Sequence, residues 1–246
     1  MSVGEVIAVL SGKGGTGKTT ITAGLAVALA LGGERVLCID CDVGLRNLDI
    51  SLGLSDQSCL SFLDVSEGGY NLNTLRPHPQ FPGLYFLTAP MNLTAEQIDP
   101  EPFWDLVMSA RREFDFVFLD APAGVDAGFR LAAQKADRIL LVTGADPASV
   151  RDAGRAGQML ELMGKSNVRL IVNRISPRLA SSMKLTVDDV MDEAGLPLIG
   201  IVPEDPDVIL SAAFGKPLLT YTKKGAAAAC RRIAKRVQGM PVMVEL

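Results

Sequence analysis

The sequence contains few cysteine and histidine residues, the side chains that form disulfides in small folds or bind soft metals. It has one histidine and four cysteines in 246 residues, and the cysteines form no spaced framework of pairs. A disulfide scaffold is therefore not expected, and a reducing cytoplasm is the predicted compartment. Cys38 and Cys41 have C-x-x-C spacing, but Cys38 lies within an apolar run, where cysteine behaves as a small hydrophobe on a buried strand. His78 lies between two prolines, so we expect it in a surface loop.

Long apolar runs and a basic leader are also missing. No apolar run reaches the roughly 20 residues that cross a bilayer. The first residues, MSVGEVIAVLSGKGG, lack a basic n-region, so no signal peptide is expected. The net charge of −4 argues against a surface that binds nucleic acid throughout, although a local basic patch stays open. With 48% apolar and 21% charged residues and no linker-like stretch, we expect one domain over residues 1–246, with 239–246 as a short tail.

Short apolar runs alternate with longer segments of helical spacing. The alternation predicts βαβ units, and hence an α/β fold: a mostly parallel twisted sheet with helices on both faces. Predicted strands are Val6–Leu10, Val36–Asp40, Leu84–Thr88, Phe116–Asp120, Arg138–Val142, Arg169–Asn173 and Leu198–Val202. Predicted helices are Lys18–Leu31, Pro100–Glu113, Val125–Lys135, Ala148–Met163 and Val187–Ala194, followed by a last helix that ends near Val237. Ligands of such a sheet gather at the carboxyl ends of its strands.

A phosphate-binding loop follows the first predicted strand. Residues 12–19 read GKGGTGKT, a full match to G-x-x-x-x-G-K-[ST] between a strand and a helix. Glycines let backbone N–H groups turn inward around phosphate oxygens, and the helix N-terminus adds partial positive charge. Lys18 is expected to reach the β- and γ-phosphates, and the Thr19 hydroxyl to bind Mg²⁺. This is a P-loop NTPase signature, and Lys13 is an additional lysine that the motif does not require.

Acidic residues follow two other predicted strands. Asp40 and Asp42 close the second strand, and Asp120 closes the fourth. An aspartate in such a position can cap a helix or complete a turn. Carboxylates beside a phosphate loop can also hold Mg²⁺, directly or through water, or position the attacking water. Three carboxylates that converge on one edge of one sheet favour the second interpretation.

These segments resemble the MinD/ParA family of deviant Walker A ATPases. The family's loop is matched by Lys13-Gly14-Gly15-Thr16-Gly17-Lys18-Thr19-Thr20. Residues 40–49, with the run G-L-R-N-L-D, are similar to switch I of the MinD branch, and residues 120–124 resemble switch II. The segments 149–153 and 199–205 continue the match, so the resemblance extends from about Val6 to about Val237.

The resemblance implies roles for individual residues. Lys13 would be the signature lysine, which reaches across a nucleotide-sandwich dimer to the phosphates held by the other subunit. Asp42 would orient the attacking water. ATP/ADP and Mg²⁺ would be the cofactors. Expected nucleotide contacts are Gly14, Gly15, Thr16, Gly17, Lys18, Thr19 and Thr20 for the phosphates and Asn173 and Pro203 for adenine; expected Mg²⁺ contacts are Thr19, Asp40 and Asp120. Arg151 and Asp152 would lie near the dimer and partner surface.

The resemblance also implies an activity. It predicts an ATP-dependent spatial regulator of cell division, in which ATP drives dimerisation and hydrolysis resets the dimer. Its partners would be a second copy of the chain, a division inhibitor of the MinC type, an activating protein and the inner face of the cell membrane. Three alternatives stay open: a ParA-like DNA-partitioning ATPase, a nucleotide-switched interaction module with slow turnover, and a metallocentre-maturation ATPase that would need an intersubunit thiol site.

The last residues differ from the family's pattern. Members of the MinD branch end in a basic amphipathic helix that docks on the membrane. Here residues 240–246 contain Pro241 and no Lys, Arg or aromatic residue, so we do not expect this segment to bind a membrane by itself. Either the natural chain is longer or this member works without that anchor. The preceding basic residues keep ParA-like DNA binding open, but the acidic net charge favours an ordinary solvated helix face, so DNA is not an expected partner.

Overall fold

Seven parallel strands form a single sheet at the centre of the protein. The computed structural model describes residues 3–43, 45–91, 93–176 and 186–245. The strands are β1 (Glu5–Leu10), β2 (Val36–Asp40), β3 (Leu84–Leu87), β4 (Phe116–Asp120), β5 (Arg138–Thr143), β6 (Val168–Ile175) and β7 (Leu198–Pro203). Their order is β3-β2-β4-β1-β5-β6-β7, and every pairing is parallel. All seven predicted strands and the α/β fold are confirmed.

Helices cover both faces of the sheet. They are α1 (Lys18–Leu31), α2 (Leu48–Leu52), α3 (Phe62–Ser66), α4 (Pro100–Glu113), α5 (Ala127–Gln134), α6 (Pro147–Leu162), α7 (Val187–Ala194), α8 (Asp207–Ala213), α9 (Leu218–Tyr221) and α10 (Gly225–Val237). Alternate residues of β1 point into two separate cores: Val6, Ala8 and Leu10 pack with α4 to α7, whereas Ile7 and Val9 pack with α1 and α10. The sheet is covered on both sides, which explains why its strands are apolar throughout.

The predicted surface loop at His78 is wrong. His78 is buried, and its Nε2 lies 2.8 Å from the Leu52 carbonyl oxygen. The Gln80 backbone N–H donates to His78 Nδ1 at 3.1 Å, so Nε2 carries the hydrogen and donates to Leu52. The ring also packs against Phe81, with 4.7 Å between centroids. His78 therefore joins α2 to the segment before β3, a contact for which the flanking prolines gave no signal.

The residues after α10 fold back along that helix. Arg236 donates hydrogen bonds to the carbonyl oxygens of Val242 (2.8 Å) and Met243, and Arg232 donates to that of Glu245 (2.9 Å). Arg236 also donates to the Ile199 carbonyl of β7 at 2.7 Å. The side chains of Arg232 and Arg236 therefore bind backbone carbonyl oxygens of their own chain. None of the helices in the described segments is long and apolar enough to cross a membrane.

Candidate functional site

The phosphate loop connects the carboxyl end of β1 to the start of α1. Two of its glycines have backbone conformations that other residues rarely adopt, with φ of 76° at Gly15 and 92° at Gly17. A Cβ on Gly17 would also lie 2.3 Å from the Asn173 side-chain nitrogen. The loop is therefore shaped by glycine where the chain turns over the end of the sheet. Thr19 and Thr20 follow in the first turn of α1.

Lys18 lies inside its own loop. The side chain is buried, and Nζ donates to the Ser11 hydroxyl at 2.9 Å. That hydroxyl in turn donates to the Lys13 carbonyl at 2.7 Å. Burial lowers the pKa of Lys18, and the carboxylates of Asp120 and Asp42 oppose that shift. A buried cation at this point is suited to an anion placed over the loop.

The buried side chain of Thr16 is a further feature of the loop. Thr16 is buried, yet its Oγ1 has no hydrogen-bond partner among the described residues. The backbone of the same residue is fixed, because Asn173 Nδ2 donates to the Thr16 carbonyl at 2.7 Å. Buried polar atoms are almost always bonded, so a free hydroxyl at a phosphate loop indicates a ligand oxygen. The residues present therefore fit a nucleotide phosphate chain.

Two buried carboxylates lie side by side next to the loop. Asp40 and Asp120 are register partners at the ends of β2 and β4, and each is about 1% exposed. Burial, followed by the charge of Asp120, raises the pKa of Asp40 to about 7. Burial also raises the pKa of Asp120 to about 6, against the hydrogen bonds from Thr19 and Thr22. A divalent cation would offset the cost of two buried negative charges, so this pair and the Thr19 hydroxyl fit Mg²⁺.

Each carboxylate is held by its own set of donors. Asp40 accepts the backbone N–H groups of Asp42 (2.9 Å) and Leu48 (3.3 Å). Asp120 accepts the Thr22 hydroxyl at 2.8 Å. Thr22 was not predicted as a site residue, although its position one helical turn after Lys18 gave a usable signal. Asp40 thus links the carboxylate pair to the first residue of α2.

Asp42 lies on the loop after β2 and is less buried than the pair. Its carboxylate accepts the Leu45 N–H at 3.3 Å, and its carbonyl accepts the Arg46 N–H at 3.2 Å. Arg46 has a left-handed backbone, with φ of 47°, and its Nε donates to the Thr88 hydroxyl at 3.0 Å. The loop that carries Asp42 is therefore tied to the end of β3. Gly44, within the G-L-R-N-L-D run, lies outside the described residues.

Lys13 and Lys18 occupy different environments. The Lys13 side chain is 45% exposed, and its Nζ lies 3.8 Å from Asp146 Oδ1 at the start of α6. Asp146 also accepts the backbone N–H and the hydroxyl of Ser149, and these hydrogen bonds lower its pKa. A surface ion pair of this length contributes at most about 1 kcal/mol. Lys13 therefore lies on the exposed side of the loop, where its side chain is held only by this weak ion pair.

An open cavity of about 650 Å³ adjoins the loop. Lys13, Gly14, Gly15 and Thr16 line one side, and Asn173, Arg174 and Glu204 line another. Arg174 has a left-handed backbone, with φ of 59°, and its Nη1 donates to the Gly15 carbonyl at 3.3 Å. Pro203 ends β7 opposite Ile175 and is half-buried, next to the cavity-lining Glu204. Asn173 and Pro203 are thus both brought to this edge, and their contact with adenine stays a prediction.

The cysteines of the C-x-x-C pair lie away from the surface. Cys38 is in β2 and Cys41 follows it, and both are buried. Burial raises the pKa of both thiols well above the usual value. Neither sulfur is presented for a site shared between subunits, as the metallocentre alternative would require.

Comparisons with known proteins agree with this geometry. The family model described as "CobQ/CobB/MinD/ParA nucleotide binding domain" matches residues 7–218. The septum site-determining protein MinD of Synechocystis is 38% identical over 241 residues, which are 97% of this chain and 91% of that protein. Two solved structures are also similar over most of both chains. The MinC:MinD complex of Aquifex aeolicus has a TM-score of 0.90 at 36% identity and covers 98% of each chain. The MinD of Pyrococcus horikoshii, complexed with Mg-ADP, has a TM-score of 0.82 at 30% identity and covers 95% of each.

Proposed function

Because the chain belongs to the CobQ/CobB/MinD/ParA nucleotide-binding family, we propose that it is an ATPase of the MinD type, a spatial regulator of cell division. It binds ATP and Mg²⁺, dimerises in the ATP state, and returns to the monomer after hydrolysis to ADP. The observation that carries the proposal is the edge of the sheet where Lys18, Thr16 and the Asp40–Asp120 pair meet.

Different residues of one chain bind the phosphates, bind Mg²⁺ and orient the attacking water. The loop N–H groups, Lys18 and Thr16 hold the phosphates, with Gly14, Gly15, Gly17, Thr19 and Thr20 completing the contact. Asp40, Asp120 and the Thr19 hydroxyl hold Mg²⁺, which neutralises phosphate charge when bound. Asp42, on the less buried loop, orients the water that attacks the terminal phosphate. This division is supported by the burial of each side chain.

Lys13 serves the other subunit. Its exposed side chain extends towards Asp146, while Lys18 already fills the interior of the loop. A cation supplied in trans to a transferring phosphoryl group raises the rate by ~10³–10⁵ in related systems. The monomer therefore binds ATP and hydrolyses it poorly, so that hydrolysis depends on dimerisation.

A mixing experiment tests this arrangement. Lys13→Ala and Asp42→Ala chains are each expected to bind ATP but not to hydrolyse it. If Lys13 acts in trans, a mixed dimer has one complete site, made of Asp42 from the first variant and Lys13 from the second. An equimolar mixture then recovers roughly a quarter of the wild-type rate, since about half the dimers are mixed. A mixture as inactive as its components would show that Lys13 acts on its own loop. Lys18→Ala, which loses nucleotide binding, is the control that should not complement.

Partner binding separates this function from a slow nucleotide switch. We expect the ATP dimer to bind a division inhibitor of the MinC type and an activating partner, with Arg151 and Asp152 of α6 near the contact. A partner that raises the steady-state ATPase rate supports the MinD-type cycle. ATP-dependent capture of the inhibitor with negligible turnover, even with the activating partner, would support the interaction module.

A peripheral position on the inner face of the cell membrane is the proposed location. It is tested by co-sedimentation with vesicles of anionic lipid, with ATP and with ADP. The alternative of DNA binding finds less support, because Arg231, Arg232 and Arg236 donate hydrogen bonds to backbone carbonyls of the chain itself. ATP-dependent, strongly salt-dependent binding to DNA would nevertheless favour the ParA-like function.

A further inference from the structure

Thr22 lies in α1, one helical turn after Lys18, and its hydroxyl is close to two acceptors. The side chain is fully buried. Its Oγ1 lies 2.8 Å from Asp120 Oδ1 and 3.0 Å from the Lys18 carbonyl oxygen. A threonine inside a helix often donates to the carbonyl four residues before it, so the contact with Lys18 is an ordinary feature of α1. The contact with Asp120 joins residues 98 positions apart in the chain and ties the helix to the carboxylate pair.

The Thr22 hydroxyl donates to Asp120 in preference to Lys18. A hydroxyl has a single proton, so it donates to one acceptor at a time. Asp120 is the nearer acceptor, and hydrogen bonds to an ionised carboxylate are roughly twice as strong as those to a neutral carbonyl. In an α-helix, the Lys18 carbonyl also accepts the Thr22 backbone N–H, so that oxygen has a partner without the hydroxyl.

The hydrogen bond from Thr22 fixes the plane of the Asp120 carboxylate. The last torsion of an aspartate side chain is broad and roughly two-fold, so the side chain does not set this plane by itself. The backbone of Asp120 is paired, since its carbonyl accepts the Cys41 N–H at 2.9 Å, but that bond does not act on the carboxylate. Threonine is branched at Cβ and has few rotamers in a helix, so its hydroxyl is a donor at a fixed position.

Thr22 can hold Asp120 while the nucleotide site is occupied. Thr19 also donates to Asp120, but Thr19 is itself an expected Mg²⁺ contact, so its oxygen would be shared with the cation. Thr22 is not among the expected phosphate or Mg²⁺ contacts, and it lies about one turn further along α1 from the loop. Its hydroxyl therefore stays available to Asp120 when nucleotide binds.

We propose that Thr22 is a positioning residue whose hydroxyl orients the Asp120 carboxylate for Mg²⁺. This role rests on the proposed function, because it requires a complex of nucleotide and Mg²⁺ at the site. Thr22 contacts neither the nucleotide nor the cation, so its effect passes through Asp120. Replacing a residue that orients a metal ligand by a hydrogen bond typically lowers metal affinity about 10- to 100-fold.

Calorimetry of ADP binding to the nucleotide-free chain, in Mg²⁺ and in EDTA, tests this role. The ratio of the two dissociation constants measures the contribution of Mg²⁺ to binding. Thr22→Val keeps the shape of the side chain and removes the hydroxyl, so the ratio should fall about 10-fold while the affinity in EDTA stays that of the wild type. Thr22→Ala should lower the ratio likewise. Alanine forms helices better than threonine, and valine about as well, so a loss shared by both variants does not arise from α1 itself.

Two further variants serve as controls. Thr22→Ser keeps the hydroxyl and should restore the wild-type ratio. Ser211 is 3% exposed in α8, and its hydroxyl donates to the Val208 carbonyl of the same helix at 3.0 Å. Ser211→Ala therefore removes a buried helical hydroxyl with a local acceptor, and the ratio should be unchanged. Melting curves of the nucleotide-free chains check that each variant is folded.

Different results would overturn the proposal in distinguishable ways. If Thr22→Val and Thr22→Ala have the wild-type ratio, or if neither folds, the role of Thr22 is structural. If Thr22→Ser loses as much as Thr22→Val, the methyl group matters and not the hydroxyl. If affinity in EDTA falls as well, Thr22 shapes the phosphate loop rather than Asp120. If the wild type binds ADP equally well in Mg²⁺ and EDTA, the Mg²⁺ site of the proposed function fails, and this inference fails with it.

Discussion

Replacing Asp120 by asparagine should stabilise the nucleotide-free, metal-free chain at pH 8. The wild type then has two ionised carboxylates about 1% exposed at neighbouring strand ends. The pKa of Asp120 is about 6, against an ordinary value of 3.8. At 1.36 kcal/mol for each pKa unit, keeping Asp120 ionised costs the fold about 3 kcal/mol. Asparagine avoids that cost and still offers an oxygen to Thr22, which now donates at 2.8 Å.

The advantage of the variant should shrink as the pH falls. A carboxyl group whose folded pKa lies above its unfolded value binds more protons in the folded chain between the two. The wild type therefore becomes more stable as the pH drops from 8 to 5. At pH 5 the remaining cost of Asp120 is roughly 1.5 kcal/mol, so the difference between the proteins narrows by a similar amount. For a chain of this length, that corresponds to about 3–6 °C in melting temperature.

Urea unfolding in EDTA at pH 8 and pH 5 measures this difference. Three other groups titrate in or near the range. Burial lowers the pKa of His78 and raises that of Glu5, and burial together with the charge of Asp120 raises the pKa of Asp40 to about 7. His78 and Glu5 are unchanged in the two proteins, so their effects cancel in the comparison. Asp40 loses the opposing charge of Asp120 in the variant, which lowers its pKa, adds to the advantage of the variant at pH 8 and likewise fades on acidification. Saturating Mg²⁺ and ADP should reverse the order, because only the wild type gains the cation's stabilisation. The reasoning is refuted if the variant is less stable than the wild type at pH 8, or if its advantage grows on acidification.

Three further substitutions test separate parts of the site. Thr16→Val removes a buried hydroxyl that has no partner in the described part of the chain, so the nucleotide-free protein should be as stable as the wild type or about 1 kcal/mol more stable, while calorimetry should show weaker ATP binding. Gly17→Ala should lower thermal stability by about 1–3 kcal/mol and weaken ATP binding, because φ of 92° is strained for alanine and its Cβ would meet Asn173; a wild-type melting curve would contradict this. Thr88→Val removes the acceptor for Arg46, so kcat should fall several-fold with KM unchanged as the Asp42 loop loosens; equal kcat values would show that the tie to β3 is not needed.

The fold and the phosphate loop were predictable from sequence because their signals are local. Apolar strands covered on both faces read as continuous runs, and α1, α4 and α7 have the predicted bounds. The loop needs glycine at defined points, and a strand and helix on either side, all within about 20 residues. The five-residue helices α2 and α3 were missed because one and a half turns show no periodicity.

The contacts that were not predicted from the sequence join residues that are distant in the chain. Asn173 holds the Thr16 carbonyl across 157 residues of sequence, and Arg46 reaches Thr88 across 42. His78 can be buried because the Leu52 carbonyl accepts its hydrogen bond, and no residue near His78 in the sequence indicates this contact. Convergence of Asp40 and Asp120 was expected from the parallel sheet, but their shared burial, which sets their pKa values, follows only from packing on both sides of the strand ends.

Asp40 connects the carboxylate pair of the nucleotide site to the Asp42 loop and to helix α2. One of its oxygens accepts the Asp42 N–H, and the other accepts the Leu48 N–H at the start of α2. Hydrogen bonds to an ionised acceptor are roughly twice as strong as those to a neutral one. A cation that keeps Asp40 ionised therefore strengthens the hold on the Asp42 loop and on α2 at once. Since the end of α2 packs closely against the segment after α8, Asp40 joins the nucleotide site to both of these helices through one hydrogen bond and one packing contact.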